Sequence, residues 1–345
     1  MSKKLLKIAV LGGGSFGTVI ANISAEKGHD VRQWMRSEDS AHEVNTDHLN
    51  SRYLPGYKLA STLVAYTDMA SALKEVDIVF VSIPSKSVRL VVAKAAPYLP
   101  KKVKIVSTTK GIESDTFKMM SQVISDELPD LQVGVLSGPN FAKELAQKQL
   151  TATVIASKHE GLRTQIQQLL HRQYFRIYAS DDIYGVELGG VLKNIYAIAS
   201  GMSEAMGMGE NTRSMLLTRA LAEMGRFAVS MGANPLTFLG LAGVGDLVAT
   251  CTSSLSRNYR VGFALGRGQN LEQAVAELGQ VAEGVNTVKL VRDKALELNV
   301  YMPLVEGLYD VIYQGAAPRK LAKSMMLSQQ GSDVEFVLPV DNSTF

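Results

Sequence analysis

Short apolar runs alternate with longer amphipathic stretches through the first 180 residues, and most runs end in a turn rich in glycine, serine or proline. KIAVLG at Lys7–Gly12, VRQWMR at Val31–Arg36, DIVFVSIP at Asp77–Pro84 and VKIVSTTKG at Val103–Gly111 read as strands. VGVLSGP at Val133–Pro139, TATVIAS at Thr151–Ser157 and FRIYAS at Phe175–Ser180 continue the series. Polar positions make the Val31–Arg36 signal weaker than the others. Strands that alternate with helices predict a doubly wound α/β sheet.

Past Ser180 the period becomes helical: GVELGGVLKNIYAIASGMSEAMGMG and NTRSMLLTRALAEMGRFAVSMG carry no strand-like alternation. Glycine and proline in MGANPLTFLGLAGVGD break the pattern, which resumes at Leu271–Leu278 and Thr287–Asn299. The expected organisation is an α/β domain over residues 1–180, a mainly α-helical domain over 181–330 and a flexible tail over 331–345. No internal repeat or sustained heptad argues for a solenoid or a fibre.

Composition agrees with two soluble cores: 345 residues, 46% hydrophobic and 20% charged. A formal charge of +3 permits anionic ligands without calling for nucleic acid. No apolar span of membrane length occurs, and MSKKLL runs directly into KIAVLG rather than into a secretory signal, so a cytoplasmic protein without membrane insertion is expected. Cys251 is the only cysteine, and the five histidines form no compact ligand set, so no metal is expected. ATCTS offers Cys251 no paired base, which favours a structural thiol.

Gly12, Gly14 and Gly17 form G-x-G-x-x-G straight after the first predicted strand. The pattern alone is weak, but between a strand and a helix it predicts pyrophosphate binding by a Rossmann-like domain. NAD-specific sites often end the second strand in an acid that takes the ribose hydroxyls; Arg36 stands there instead. It is either a partner for the 2'-phosphate of NADPH or a solvated surface charge, and Glu38 and Asp39 keep NADH open.

Three loops carry the substrate question. STTKG sets Lys110 after a strand, a ligand for carbonyl or phosphate or else a solvated charge, and SGPNFA sets Gly138, Asn140 and Ala142 at another junction, where Asn140 also suits a cap. Lys193 interrupts an otherwise apolar helix and is either a proton-transfer group facing a cleft or an outward snorkelling lysine. GVGDL introduces Asp246, and TSSLSRNYR introduces Ser256, Arg257 and Asn258, which could bind phosphate at a helix start or simply cap and turn the chain.

In content and order these segments resemble the bacterial NAD(P)-dependent glycerol-3-phosphate dehydrogenase family, from IAVLGGGSFGT through VSIPS, STTKG, SGPNFA and LGGVLKNIYAIASGM to LAGVGDLVATCTSSLSRNYRVGFALGRG, VAEGVNTVK and MPLVEGLYDVIY, roughly residues 7–325. The resemblance implies that the first domain binds NADPH or NADH and that the helical domain closes a site for dihydroxyacetone phosphate. It implies cofactor contacts from Ser15, Phe16, Arg36, Lys110, Ala142, Arg257, Val281 and Glu283. It further implies substrate contacts from Lys110, Gly138, Asn140, Asp246, Ser256, Arg257 and Asn258, with Lys193 as the catalytic proton-transfer residue. Asn140 replaces a customary Ser or Thr and Phe16 a customary Trp, so the hydroxyl contact and the indole donor of those positions are missing.

The expected reaction is reversible reduction of dihydroxyacetone phosphate to sn-glycerol 3-phosphate, with NADPH preferred through Arg36. The resemblance adds supply of the glycerophospholipid backbone and a homodimer. Two other readings compete: a β-hydroxyacid or ketoacid dehydrogenase with a similar helical domain, and a nonenzymatic NADP-binding regulator, which leaves the lysines and the SRN segment without a chemical role.

Overall fold

The computed structural model describes residues 5–278 and 282–319. The Val281 contact and the tail at 331–345 expected from the sequence lie outside the described residues. The chain divides into two compact units between Glu187 and Leu188.

The first unit is built on an eight-stranded sheet. Its strands are β1 (Lys7–Leu11), β2 (Asp30–Trp34), β3 (Leu63–Tyr66), β4 (Ile78–Val81), β5 (Lys104–Ser107), β6 (Gln132–Ser137), β7 (Thr151–Ala156) and β8 (Phe175–Ser180). They lie in the order β3-β2-β1-β4-β5-β6-β7-β8. Every neighbouring pair is parallel except β6 with β7. The strand at Thr151 therefore does not simply extend the earlier alternation: the chain reverses there, and β7 and β8 run against the first six. β3 has only four residues, and alternates buried Leu63 and Ala65 with Val64 and Tyr66, which makes it the faintest strand signal.

Alternation on β1 sends Ile8 and Val10 into one core and Ala9 and Leu11 into the other. The first core also takes Ile20 of α1 (Ser15–Ala25), Val44 of α2 (Glu38–Thr46) and Ile166 of α7 (Glu160–Leu170). The second takes Leu73 of α3 (Met69–Leu73), Val92 of α4 (Val88–Ala95) and Ile124 of α5 (Met120–Glu127). With helices on both faces, β4 (IVFV) is apolar throughout and the other central strands are apolar in their middles, and their C-terminal ends feed the loops where ligands bind in such sheets.

The second unit is helical. Helix α8 (Ile183–Ala205) enters it and is followed by α9 (Glu210–Ser230), α10 (Asp246–Thr252), α11 (Arg257–Gly266), α12 (Leu271–Leu278), α13 (Glu283–Glu297) and α14 (Pro303–Tyr313). A single π-helical turn at Leu241–Gly245 leads into α10. Residues 188–203 are buried without interruption, so this stretch of α8 is covered on all sides. Glycine allows its neighbours that close: a Cβ at Gly189 would strike the Ala242 carbonyl, and one at Gly262 the Ile198 carbonyl. No helix among the described residues is long and apolar enough to cross a membrane.

Candidate active site

The glycines after β1 do three different things. Gly12 has φ +125°, and a Cβ there would meet the Ser82 carbonyl. Gly17 faces the Gly12 oxygen and the Ser82 Cβ, each 2.8 Å from where its own Cβ would stand, so α1 lies tight against the strand ends. Gly14, the N-cap of α1, opens on free space and contributes no side-chain cap. The first turn of α1 holds no acidic residue. An uncapped helix start with its positive dipole end and a close-approach glycine fits a pyrophosphate.

Ser15 donates its hydroxyl to the Tyr53 carbonyl at 2.6 Å, and half-buried Phe16 packs against the adjoining core. Tyr53 thus lies against the start of α1, in a loop for which the sequence carried no signal. Arg36 is exposed just past β2, ahead of the Ser37 that caps α2. After β5, half-buried Lys110 donates to the Gly138 carbonyl at 3.2 Å and so joins the loops that follow β5 and β6. Gly138 has φ +141° and packs on Thr153. The Asn140 amide donates to the Thr153 hydroxyl at 3.1 Å, which makes it a brace for its loop, and Ala142 opens the short helix α6 (Ala142–Ala146).

In the second unit Lys193 is only 5% exposed, which excludes the snorkelling reading. Its ammonium donates to Asp246 Oδ1 and, at 2.7 Å, to Thr250 Oγ1. Asp246 and Thr250 stand four residues apart on α10, hence on one face, and both are buried. The π turn delivers Asp246 to that position: Gly243 packs on the Phe238 backbone, while Gly189 lets α8 close on Ala242. Thr250 went unnoticed in the sequence, although its spacing from Asp246 was the available clue.

Ser256 caps α11 by accepting from the Tyr259 amide at 3.2 Å. Arg257 is exposed on the first turn. Asn258 is buried and accepts from the Gly284 amide at 3.0 Å, which brings the start of α11 to the start of α13, where Glu283 stands. A helix start that presents Ser, Arg and Asn, without an acid in its first turn, suits a phosphate monoester.

Two buried acids lie apart from these groups. Glu187 accepts from the Ser121 amide and hydroxyl, and burial pushes its pKa up to about 7. Glu223 accepts from the Leu304 amide at 2.6 Å and the Tyr196 hydroxyl at 3.2 Å, and burial pushes its pKa up to about 8. Cys251 is buried, and desolvation raises its thiol pKa strongly, as a structural rather than reactive thiol requires. Among the described residues no group of three His, Cys, Asp or Glu side chains could hold a metal ion.

Comparison with known proteins covers both units. A family model for the N-terminus of NAD-dependent glycerol-3-phosphate dehydrogenase matches residues 7–163, and its C-terminal counterpart matches residues 182–323. The curated glycerol-3-phosphate dehydrogenase (NAD(P)+) of Acinetobacter baumannii strain SDF is 56% identical over 337 residues, 98% of this chain and 94% of that protein. The Teredinibacter turnerae protein of the same name is 54% identical over 330 residues, 96% of this chain and 97% of its own. A crystal structure of glycerol-3-phosphate dehydrogenase from Coxiella burnetii superposes with a TM-score of 0.90 at 36% identity, covering 94% of this chain and 99% of that one. A ketopantoate reductase from Ralstonia eutropha, 13% identical with a TM-score of 0.58 over 92% of this chain and 100% of its own, shares the fold alone.

Proposed function

The chain belongs to the NAD-dependent glycerol-3-phosphate dehydrogenase family, and from that premise we propose how its residues carry out the reversible, NAD(P)H-dependent reduction of dihydroxyacetone phosphate to sn-glycerol 3-phosphate. The observation that carries the proposal is the buried Lys193 held by Asp246 and Thr250. Burying a charge without a partner is costly, and here a carboxylate and a hydroxyl compensate it.

The bound cofactor supplies the hydride that reaches the ketone carbon, C2. Lys193 donates a proton to the C2 oxygen as negative charge develops there, and takes it back from the hydroxyl in the reverse direction. Asp246 and Thr250 aim the ammonium by accepting two of its hydrogen bonds. Lys110 orients the carbonyl end, with Gly138 beside it and Asn140 bracing the loop through Thr153. Ser256, Arg257 and Asn258 hold the phosphate; with its oxygen tied to Gly284, Asn258 has its amide hydrogens to offer.

The α1 start with Gly12, Gly14, Ser15, Phe16 and Gly17 holds the dinucleotide, with further contacts from Lys110, Ala142, Arg257 and Glu283. Exposed Arg36 pairs with the extra phosphate of NADPH and makes it the preferred cofactor. The product is the glycerol phosphate backbone of phospholipids, and the enzyme supplies it as a homodimer in the cytoplasm; light scattering at several concentrations is expected to give twice the chain mass.

The deciding experiment compares initial rates on dihydroxyacetone phosphate, dihydroxyacetone and a carboxylated ketone. The phosphorylated ketone is expected to lead, and Arg257→Ala to lower its kcat/KM by about a hundredfold and that of dihydroxyacetone by far less, the smaller loss coming from the cofactor contact of Arg257. Equal efficiency on the phosphorylated and free ketones would remove the phosphate anchor, and a preference for the carboxylated ketone would favour the ketoacid reading.

A further inference from the structure

Three polar side chains with no part in the proposed chemistry meet beneath the glycine turn: Thr18 of α1 and Gln33 of β2, both 0% exposed, and Asn50 after α2, 1% exposed. Gln33 Nε2 donates to the Gly12 carbonyl at 2.9 Å and to Thr18 Oγ1 at 3.0 Å. Asn50 Nδ2 donates to the Gly13 carbonyl at 2.9 Å and to the same Thr18 Oγ1 at 2.8 Å. With both lone pairs of that oxygen taken, the Thr18 hydroxyl hydrogen turns to the Gly13 carbonyl, 3.5 Å away. The amide orientations follow, because a carbonyl can be met only by a donor. The remaining oxygens, Gln33 Oε1 and Asn50 Oδ1, are buried with no hydrogen-bond partner among the described residues. Apolar residues would fill this space at less cost.

What the arrangement achieves follows from peptide geometry. In a trans peptide the C=O of one residue and the N–H of the next point in opposite directions. Holding the Gly12 oxygen toward Gln33 turns the Gly13 N–H away from it, and holding the Gly13 oxygen toward Asn50 does the same for the Gly14 N–H. Two successive amide donors are then fixed on the side away from the buried side chains, beside the open space at Gly14. Glycine itself has no side chain with which to hold these planes.

We propose that Gln33, Thr18 and Asn50 are positioning residues that lock the Gly12 and Gly13 peptide planes and so set the affinity for the dinucleotide's pyrophosphate. This rests on the reading that the turn holds the cofactor. The trio acts on binding alone, equally for NADPH and NADH, and leaves proton transfer untouched.

The test measures equilibrium binding of ADP-ribose, NADH and NADPH by calorimetry, with steady-state kinetics alongside, on the full-length wild type, Thr18→Val, Thr18→Ser and Gln33→Met. Thr18→Val, which keeps the shape and loses the hydroxyl, and Gln33→Met are expected to weaken all three ligands by about tenfold. Their kcat at saturating cofactor should stay within about twofold, with KM for the ketone unchanged. Thr18→Ser restores wild-type binding. Unchanged affinity in folded Thr18→Val, a fall in kcat instead of affinity, failure of Thr18→Ser to restore binding, or failure of both Thr18→Val and Gln33→Met to fold would each overturn the proposal, the last by making the trio purely a folding element. Wild type that bound none of the three ligands would instead overturn the placement of the cofactor on the turn.

Discussion

The glycine turn of the first unit and the lysine cluster of the second are both prepared for charge, but by opposite means. At the turn the groups offered to a ligand are backbone amides and a helix dipole, and the side chain that would obstruct them is absent at Gly14. In the helical unit the proposed working group is itself a charge, Lys193, buried on α8 and compensated by Asp246 and Thr250 from α10. The first arrangement needs neighbours in sequence, because a turn and the helix after it are continuous. The second needs residues more than fifty positions apart to converge, and only packing achieves that. Binding can be built from permanent dipoles, whereas proton transfer needs a group that changes its protonation state.

The contrast breaks most visibly at Lys193. Lys193→Ala should lower turnover about a thousandfold while the affinity for ADP-ribose stays near wild type, since the turn belongs to the other unit. Circular dichroism checks the fold, because the change leaves Asp246 buried without its cation. Near-normal turnover would dissolve the distinction between a binding half and a chemical half. A smaller effect is expected at Arg36, the one side-chain charge the first unit is proposed to use for cofactor choice: Arg36→Ala should reduce the NADPH to NADH ratio of kcat/KM by about tenfold, and an unchanged ratio would make it a solvated surface charge.

The smallest effect concerns stability. Burial first of all raises Glu223 from the ordinary 4.5 to about 8. The folded chain therefore holds a proton that the unfolded chain has already released between those values, so the contribution of Glu223 is complete below about pH 4.5 and is lost as pH rises through about 8. Glu223→Gln keeps an acceptor for the Leu304 amide without the titration. Its melting temperature should gain on wild type by about 3 °C between mildly acidic and mildly alkaline buffer, and a constant gap between the two would show that the carboxyl is ionised throughout.

The same contrast explains what could be read from the sequence. Gly12, Gly14 and Gly17 announced their arrangement by spacing, and the strongly apolar strands announced the sheet. Four-residue β3 did not, because two buried positions are too few to set a period. The reversal at β7 was also hidden: its pattern reads the same in either direction, and orientation depends on where the connection lands. Lys193 could be singled out as a charge in an apolar helix, but whether it faced solvent depended on α8 being covered all round. Ser256 shows the reverse difficulty, since capping and phosphate binding draw on the same atoms at a helix start, and the hydroxyl is seen here in its capping role.

The glycine contacts between α8 and α11 bear on how the enzyme could be altered. Gly201 faces the Tyr259 carbonyl, Gly262 the Ile198 carbonyl, and Gly266 the Met202 backbone. Because α8 carries Lys193 and α11 opens with Arg257, these contacts act as a spacer gauge between the proposed acid and the proposed anion anchor. A side chain added at Gly262 would touch neither group yet would widen the distance between them, penalising short substrates before longer ones. Redesign for a ketone with a longer anionic arm could therefore begin at a glycine far from any reacting atom, leaving the residues of both ends as they are.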